Sequence, residues 1–217
     1  VFRTAFFLNA AREKDWLRLR WIVWGNLTFT GVLLLATFWH AEEFHWKPSQ
    51  TLFGHIWVVL YIVEPVAMIY LVPRGIFRVP GPTSGGPIHP LLKGFLILVA
   101  AMLLTNGLLL VLNPTFADTR WPWVLNPLDA RIVAAWFLGW SVWWGTLAFA
   151  RDWDEIRTAV RLFILNAVAL LVVIAVFRDE FVPNRPTPYG FAIVLGVMIA
   201  VMVGFHVLQE RRRPAPG

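Results

Sequence analysis

Glu64 is the one acidic residue deep inside an apolar run, VLYIVEPVAMIY at 59–70, and Pro65 follows it directly. A carboxylate near a bilayer midplane costs roughly 2.5–3.5 kcal/mol on insertion scales, so intramembrane acids face the interior of a bundle. Burial favours the neutral acid. Pro65 has no N–H and frees the carbonyl of Tyr61. Tyr61, Met68 and, two turns back, Trp57 share the helix face of Glu64. Two chemistries suit such a set. One is a protonatable site for coupling or for a cationic ligand. The other is a neutral acid bonded to Asn106, Asn166 or Thr105, fixing helix packing. The expectation is the packing role.

Trp136, Trp140, Trp143 and Trp144 recur at i, i+4, i+7 and i+8, which puts them on one side of a helix. Tryptophan favours the two membrane interfaces. Trp21, Trp24, Trp39, Trp46, Trp121 and Trp123 suit that belt, whereas Trp140 falls near the bilayer centre. An indole wall there would line a cavity for a flat apolar ligand such as a lipid tail, quinone or pigment, or would pack inside the bundle or against another subunit. Ala192, Gly196, Ala200 and Gly204 repeat every four residues, the small-xxx-small pattern of close helix contact.

Other reactive residue types form no recognisable constellation. His40, His45 and His55 lie near Glu42 and Glu43, but their spacing fits no standard metal-ligand motif, and no metal is expected. His55 and His206 fall at opposite ends of the bundle, which rules out that pair as axial haem ligands. Asn126 and Asp129 have capping-box spacing. No GxSxG, HExxH or phosphate-loop pattern occurs, and no catalytic residue is assigned.

The elements that must position these residues are six apolar blocks, at about 21–39, 52–72, 92–112, 130–150, 158–177 and 189–209. Each has the length of a membrane-spanning helix, and a spanning strand would need only about 10 residues. The chain is 217 residues, 58% hydrophobic and 15% charged, with mean hydropathy +0.63. Soluble domains carry about 25% charged residues. There are no cysteines, which excludes disulfides, iron–sulfur clusters and thiol catalysis. The net charge of +6 reflects cations at helix ends, so topology explains it better than nucleic acid does.

Fourteen of the 19 Lys and Arg residues fall on the N-terminal side of the alternating spans, whereas acidic residues divide evenly, with Glu64 between. The cation bias places both termini in the cytoplasm. Residues 1–20 are read as an amphipathic cytoplasmic segment with no cleavable signal peptide, and 210–217 as a basic tail. The spans between, 21–209, form three hairpins. Pro48, Pro127 and Pro188 open the returning helices, with Asn126 and Thr187 as N-caps. Residues 73–91, rich in Pro and Gly, are read as a flexible, non-helical cytoplasmic linker. RDWDEIR at 151–157 is read as a tight turn with surface ion pairs.

The segment WPWVLNPLDARIVAAWFLGWSVWWGTLAFARDWDEIRTAVR resembles six-span membrane proteins of actinobacteria and related bacteria, and EFHWKPSQTLFGHIWVVLYIVEP resembles their outer loop and second span. The resemblance covers about 39–177. It implies the topology and brings no activity with it.

The sequence thus leads to an all-α polytopic bundle of the cytoplasmic membrane. The expected role is a non-enzymatic accessory or scaffold subunit contacting lipid and either other subunits or its own copies, with lipid, quinone or pigment along the tryptophan face. The alternatives are a small proton-coupled transporter or substrate-binding membrane component using Glu64, or a membrane-embedded enzyme acting on a lipid or quinone.

Overall fold

The computed structural model describes residues 16–43, 52–76, 85–115, 121–183, 185 and 187–213. Six α-helices occur among them: α1 Trp16–Trp39, α2 Leu52–Ile76, α3 Pro90–Leu112, α4 Pro127–Ala148, α5 Trp153–Val176 and α6 Thr187–Arg212. No strand occurs among these residues; one isolated bridge pairs Pro87 with Asp152. Most of the expected amphipathic segment, Pro48, and residues 77–84 and 214–217 lie outside the described residues.

The helix starts follow from capping chemistry. Pro127 opens α4, and the Asp129 N–H donates to Asn126 Oδ1 at 2.7 Å. Asp152 caps α5 by accepting from the Asp154 N–H at 2.8 Å, and Asp154 and Glu155 complement the positive end of that helix. Pro90 opens α3, where His89 accepts from Leu91 N–H. Helix α6 departs from expectation: the Thr187 hydroxyl is buried and makes no hydrogen bond among the described residues, so it is no cap. Inside the helices, the hydroxyls of Thr30, Thr37, Thr105 and Thr146 donate to carbonyls four residues back, which makes them tolerable in an apolar setting.

Consecutive helices pack in pairs, α1 with α2, α3 with α4 and α5 with α6. Helix α4 also packs along α1, so four helices stand in the order α2, α1, α4, α3, and the α5/α6 pair lies beside them with α5 touching α1. Helix α4 is the centre. Glycines permit the close approach: a Cβ on Gly139 would meet Phe29 Cβ at 2.8 Å and the Gly25 carbonyl at 3.0 Å, and one on Gly107 would meet Leu138 at 2.8 Å.

Large apolar side chains such as Leu35, Val59, Val66, Leu98, Val172 and Val197 remain exposed on the outer faces. So much exposed apolar surface marks a membrane or partner contact. Helices α3, α5 and α6 are long and apolar enough to cross a membrane, and α1 and α2 contain shorter apolar stretches, Val23–Trp39 and Gly54–Tyr70. Helix α4 does not qualify, because Arg131, its tryptophans and its small polar residues dilute the apolar content.

Two expectations for the loops are corrected. Helix α2 continues through Pro73 to Ile76, because a proline removes one backbone hydrogen bond without ending the others. The end of the linker is docked: Gly85 and Gly86 N–H donate to the two Asp152 carboxylate oxygens at 3.2 and 3.1 Å, and Trp153 N–H donates to the Gly86 carbonyl at 2.9 Å. Gly86 has φ 81°, and a Cβ on Gly85 would meet Asp154 N at 2.6 Å. The ion pairs of 151–157 are also not confined to the surface. Asp154 and Glu155 are buried, and Asp154 pairs with Arg213 from the end of α6 at 3.1 Å.

Candidate functional site

Trp140 and Trp144 stand one turn apart on α4 and face the α5/α6 pair. Trp144 stacks on Phe163 of α5, with ring centroids 4.7 Å apart and planes at 30°, and meets Phe95 of α3 edge-on at 6.2 Å. Such rings hold α4 away from α5 and α6, which it meets through side chains. The space left between α3, α4, α5 and α6 is a cavity of about 290 Å3.

The 121–123 loop roofs this cavity. Trp121 packs on Phe137 at 5.8 Å and on Phe191 at 6.5 Å. Two hydrogen bonds tie this loop to the α5–α6 connection: Arg185 Nη1 donates to the Trp121 carbonyl at 2.7 Å, and Val182 N–H to the Pro122 carbonyl at 2.9 Å. The walls are aromatic and aliphatic, and no charged side chain lines them among the described residues. The polar groups are few. Asn106 Nδ2 donates to its own helix at Met102 O, 2.8 Å away. The Asn166 side chain makes no hydrogen bond among the described residues, and Trp121 Nε1 and Thr187 Oγ1 are buried without one. An apolar cavity with a few polar groups is the usual form of a small-molecule site.

The tryptophan series therefore divides. Trp140 and Trp144 line the cavity. Trp136 turns to α1, where it packs on Phe29 at 4.3 Å, and meets Trp140 edge-on at 5.9 Å. Trp143 is buried against Gly25 of α1, so close that a Cβ there would fall on the indole ring. Trp21, expected in an interfacial belt, is buried in the core 5.9 Å from Phe163.

The second candidate set does come together, along the seam between α2 and α1. Asn26 Nδ2 donates to Glu64 Oε1 at 2.6 Å and lies 3.5 Å from Met68 Sδ. Trp57 Nε1 donates to Thr37 Oγ1 at 3.1 Å, and Tyr61 packs against Trp57 at 4.7 Å and Phe29 at 6.4 Å. Trp57, Tyr61, Glu64 and Met68 are spaced 4, 3 and 4 residues apart, the rhythm of a helix–helix seam. Among the described residues Glu64 is thus bonded by Asn26, and not by the expected Asn106, Thr105 or Asn166. Asn106 and Thr105 bond to their own helix, and Asn166 lines the cavity.

Among the described residues, the glycines of the small-residue series of α6 have no close neighbour. A Cβ on Gly196 or Gly204 would meet nothing, Ala200 is exposed, Ala192 is half-buried, and α6 packs chiefly on α5. The close-packing glycines are Gly25, Gly107 and Gly139. At the opposite end of α6, Trp153 Nε1 donates to Glu210 Oε1 at 3.0 Å, and Arg161 lies 3.6 Å from Glu210 and donates to His206 Nε2. His40 bridges Glu43 and Arg131, tying the end of α1 to α4, while His55 is exposed. No group of three metal-ligating side chains forms among the described residues.

Asn26 had a signal in the sequence. It stands 13 residues before the end of α1, and Glu64 stands 12 residues after the start of α2, so a hairpin sets them at one depth. Comparison with protein-family models, with curated proteins and with solved structures gives no match. Among the described residues the class defined is all-helical, with three helices able by length and composition to cross a membrane.

Proposed function

We propose that this chain is a six-span protein of the cytoplasmic membrane with both termini inside, acting as a helical accessory or scaffold subunit that holds an apolar ligand between its second and third hairpins. The observation that carries this is the uncharged cavity beside Trp140 and Trp144. Among the described residues it offers shape and apolar contact and no acid–base pair, which suits binding better than turnover. The open face of α6, with its small residues, leaves room for a helix of another subunit or copy. The topology rests on the cation asymmetry.

Glu64 fits the scaffold role, since its carboxylate is engaged by buried Asn26 on a helix seam. The test is native mass measurement of the full chain in mild detergent. The expected species is an assembly with a second protein or copy and a non-covalent small molecule. A ligand-free monomer across detergents overturns the proposal.

A further inference from the structure

We infer that the ligand of the α3–α6 cavity is neutral and presents a ring oxygen to Asn166 and Asn106, as the head of a quinone does. This rests on the cavity reading above and deepens it. Neutrality follows from the lining, which among the described residues contains no ionisable side chain, because a buried charge needs a partner. Size follows from the volume. About 290 Å3 is at the low end of small-molecule sites, usually ~300–1,000 Å3. A single substituted ring fits; a tetrapyrrole or a long polyene does not. Flatness follows from walls built of indole and phenyl faces, Trp140, Trp144 and Phe163 among them.

The oxygen follows from the amides. Asn166 on α5 and Asn106 on α3 belong to opposed hairpins and line the same space. Asn106 has given its N–H to Met102 and keeps its carbonyl oxygen as an acceptor. Asn166 keeps a donor and an acceptor. In apolar surroundings such groups are stable only when bonded. Together they suit a carbonyl, which accepts from Asn166, and equally a ring hydroxyl, which donates to Asn106. Asn106 is six residues from the α3 end at Leu112, and Asn166 ten from the α5 end at Val176. At ~1.5 Å per residue the oxygen lies about 9–15 Å below those helix ends. The space below it, at Ile199 and Met202, is apolar and takes the substituent tail.

The test follows the thermal unfolding midpoint of the full chain in mild detergent during titration with a decyl-tailed benzoquinone, with decylbenzene as the oxygen-free control. The expected result is saturable stabilisation with half-saturation about fivefold lower for the quinone, the worth of one net hydrogen bond. Asn166→Leu removes that advantage and leaves the decylbenzene curve in place. Asn106→Leu reduces it, and serves if Asn166→Leu does not fold. Equal half-saturation for the two compounds in the unsubstituted chain overturns the oxygen recognition while the cavity reading stands. No saturable effect from either overturns both. A co-purified phospholipid that the quinone does not displace, seen by native mass measurement, overturns the quinone assignment in favour of a lipid tail.

Discussion

At the residue scale the Asn26–Glu64 contact carries the clearest energetic content. Asn26 is 1% exposed, so removing its acceptor leaves a buried amide without that bond. Glu64→Ala should lower stability by about 1–3 kcal/mol, whereas Glu64→Gln, which keeps a carbonyl oxygen, should stay within about 1 kcal/mol. Thermal unfolding in detergent checks both. A double-mutant cycle with Asn26→Ala should return a coupling of roughly 0.6–1.7 kcal/mol, the range of polar contacts between membrane helices. A coupling near zero would show that the seam does not depend on this pair. Glu64 was legible in the sequence because an acid in an apolar run stands out. Its partner was harder to find, because sequence fixes depth along a hairpin but not which neighbouring helix supplies the bond.

At the element scale the helices were legible and their contacts were not. The apolar blocks at 52–72 and 92–112 fall within or match Leu52–Ile76 and Pro90–Leu112, because bilayer-length apolar runs have few other ways to bond their backbone. The tryptophan series shows the limit. At about 100° per residue, Trp136 and Trp143 lie within about 20° of each other and meet α1, while Trp140 and Trp144 turn further round to the cavity. The glycines show it again, since a repeat of small residues marks a face that can pack closely without saying whether a neighbour exists. Gly25→Ala should force α1 and α4 apart at Trp143, because the new methyl falls within its indole. Overpacking of this kind costs ~1–3 kcal/mol and sometimes more. Gly196→Ala meets open space and should shift monomer stability by no more than about 0.5 kcal/mol. Yield of monodisperse protein by size exclusion separates the two. Equal behaviour would contradict the packing described.

At the scale of the whole molecule, one end of the bundle is held by charge. Asp152 gathers Gly85, Gly86 and the start of α5, and Arg213 reaches back from α6 to Asp154. Asp152→Ala strips three backbone N–H groups of their acceptor and should cost about 1–3 kcal/mol. Hydrogen exchange should then quicken at Gly85 and Gly86 while the core of α3 keeps its protection; an unchanged rate would contradict the docking. The absence of cysteine makes the topology directly testable, since any introduced thiol is unique. Asp179→Cys in the α5–α6 connection should react with an impermeant maleimide on intact cells, and Arg212→Cys only after permeabilisation. The reverse pattern would invert the proposed orientation. The docking of the linker was hidden in the sequence, because Gly- and Pro-rich composition measures the freedom of a chain and not the acceptor waiting for its N–H groups.

The central place of α4 bears on how the protein is made. An interior helix answers to its neighbours and not to lipid, which lets α4 carry Arg131 and four indoles. The same composition makes it a poor candidate to partition from a translocation channel alone. In the six-span arrangement, α4 would be retained by α1 and α3, which precede it from the ribosome and offer Gly25 and Gly107 at the contacts. The α3–α4 hairpin would then enter as a unit, and a truncated chain that begins at α4 would be threaded through the membrane instead of stopping in it.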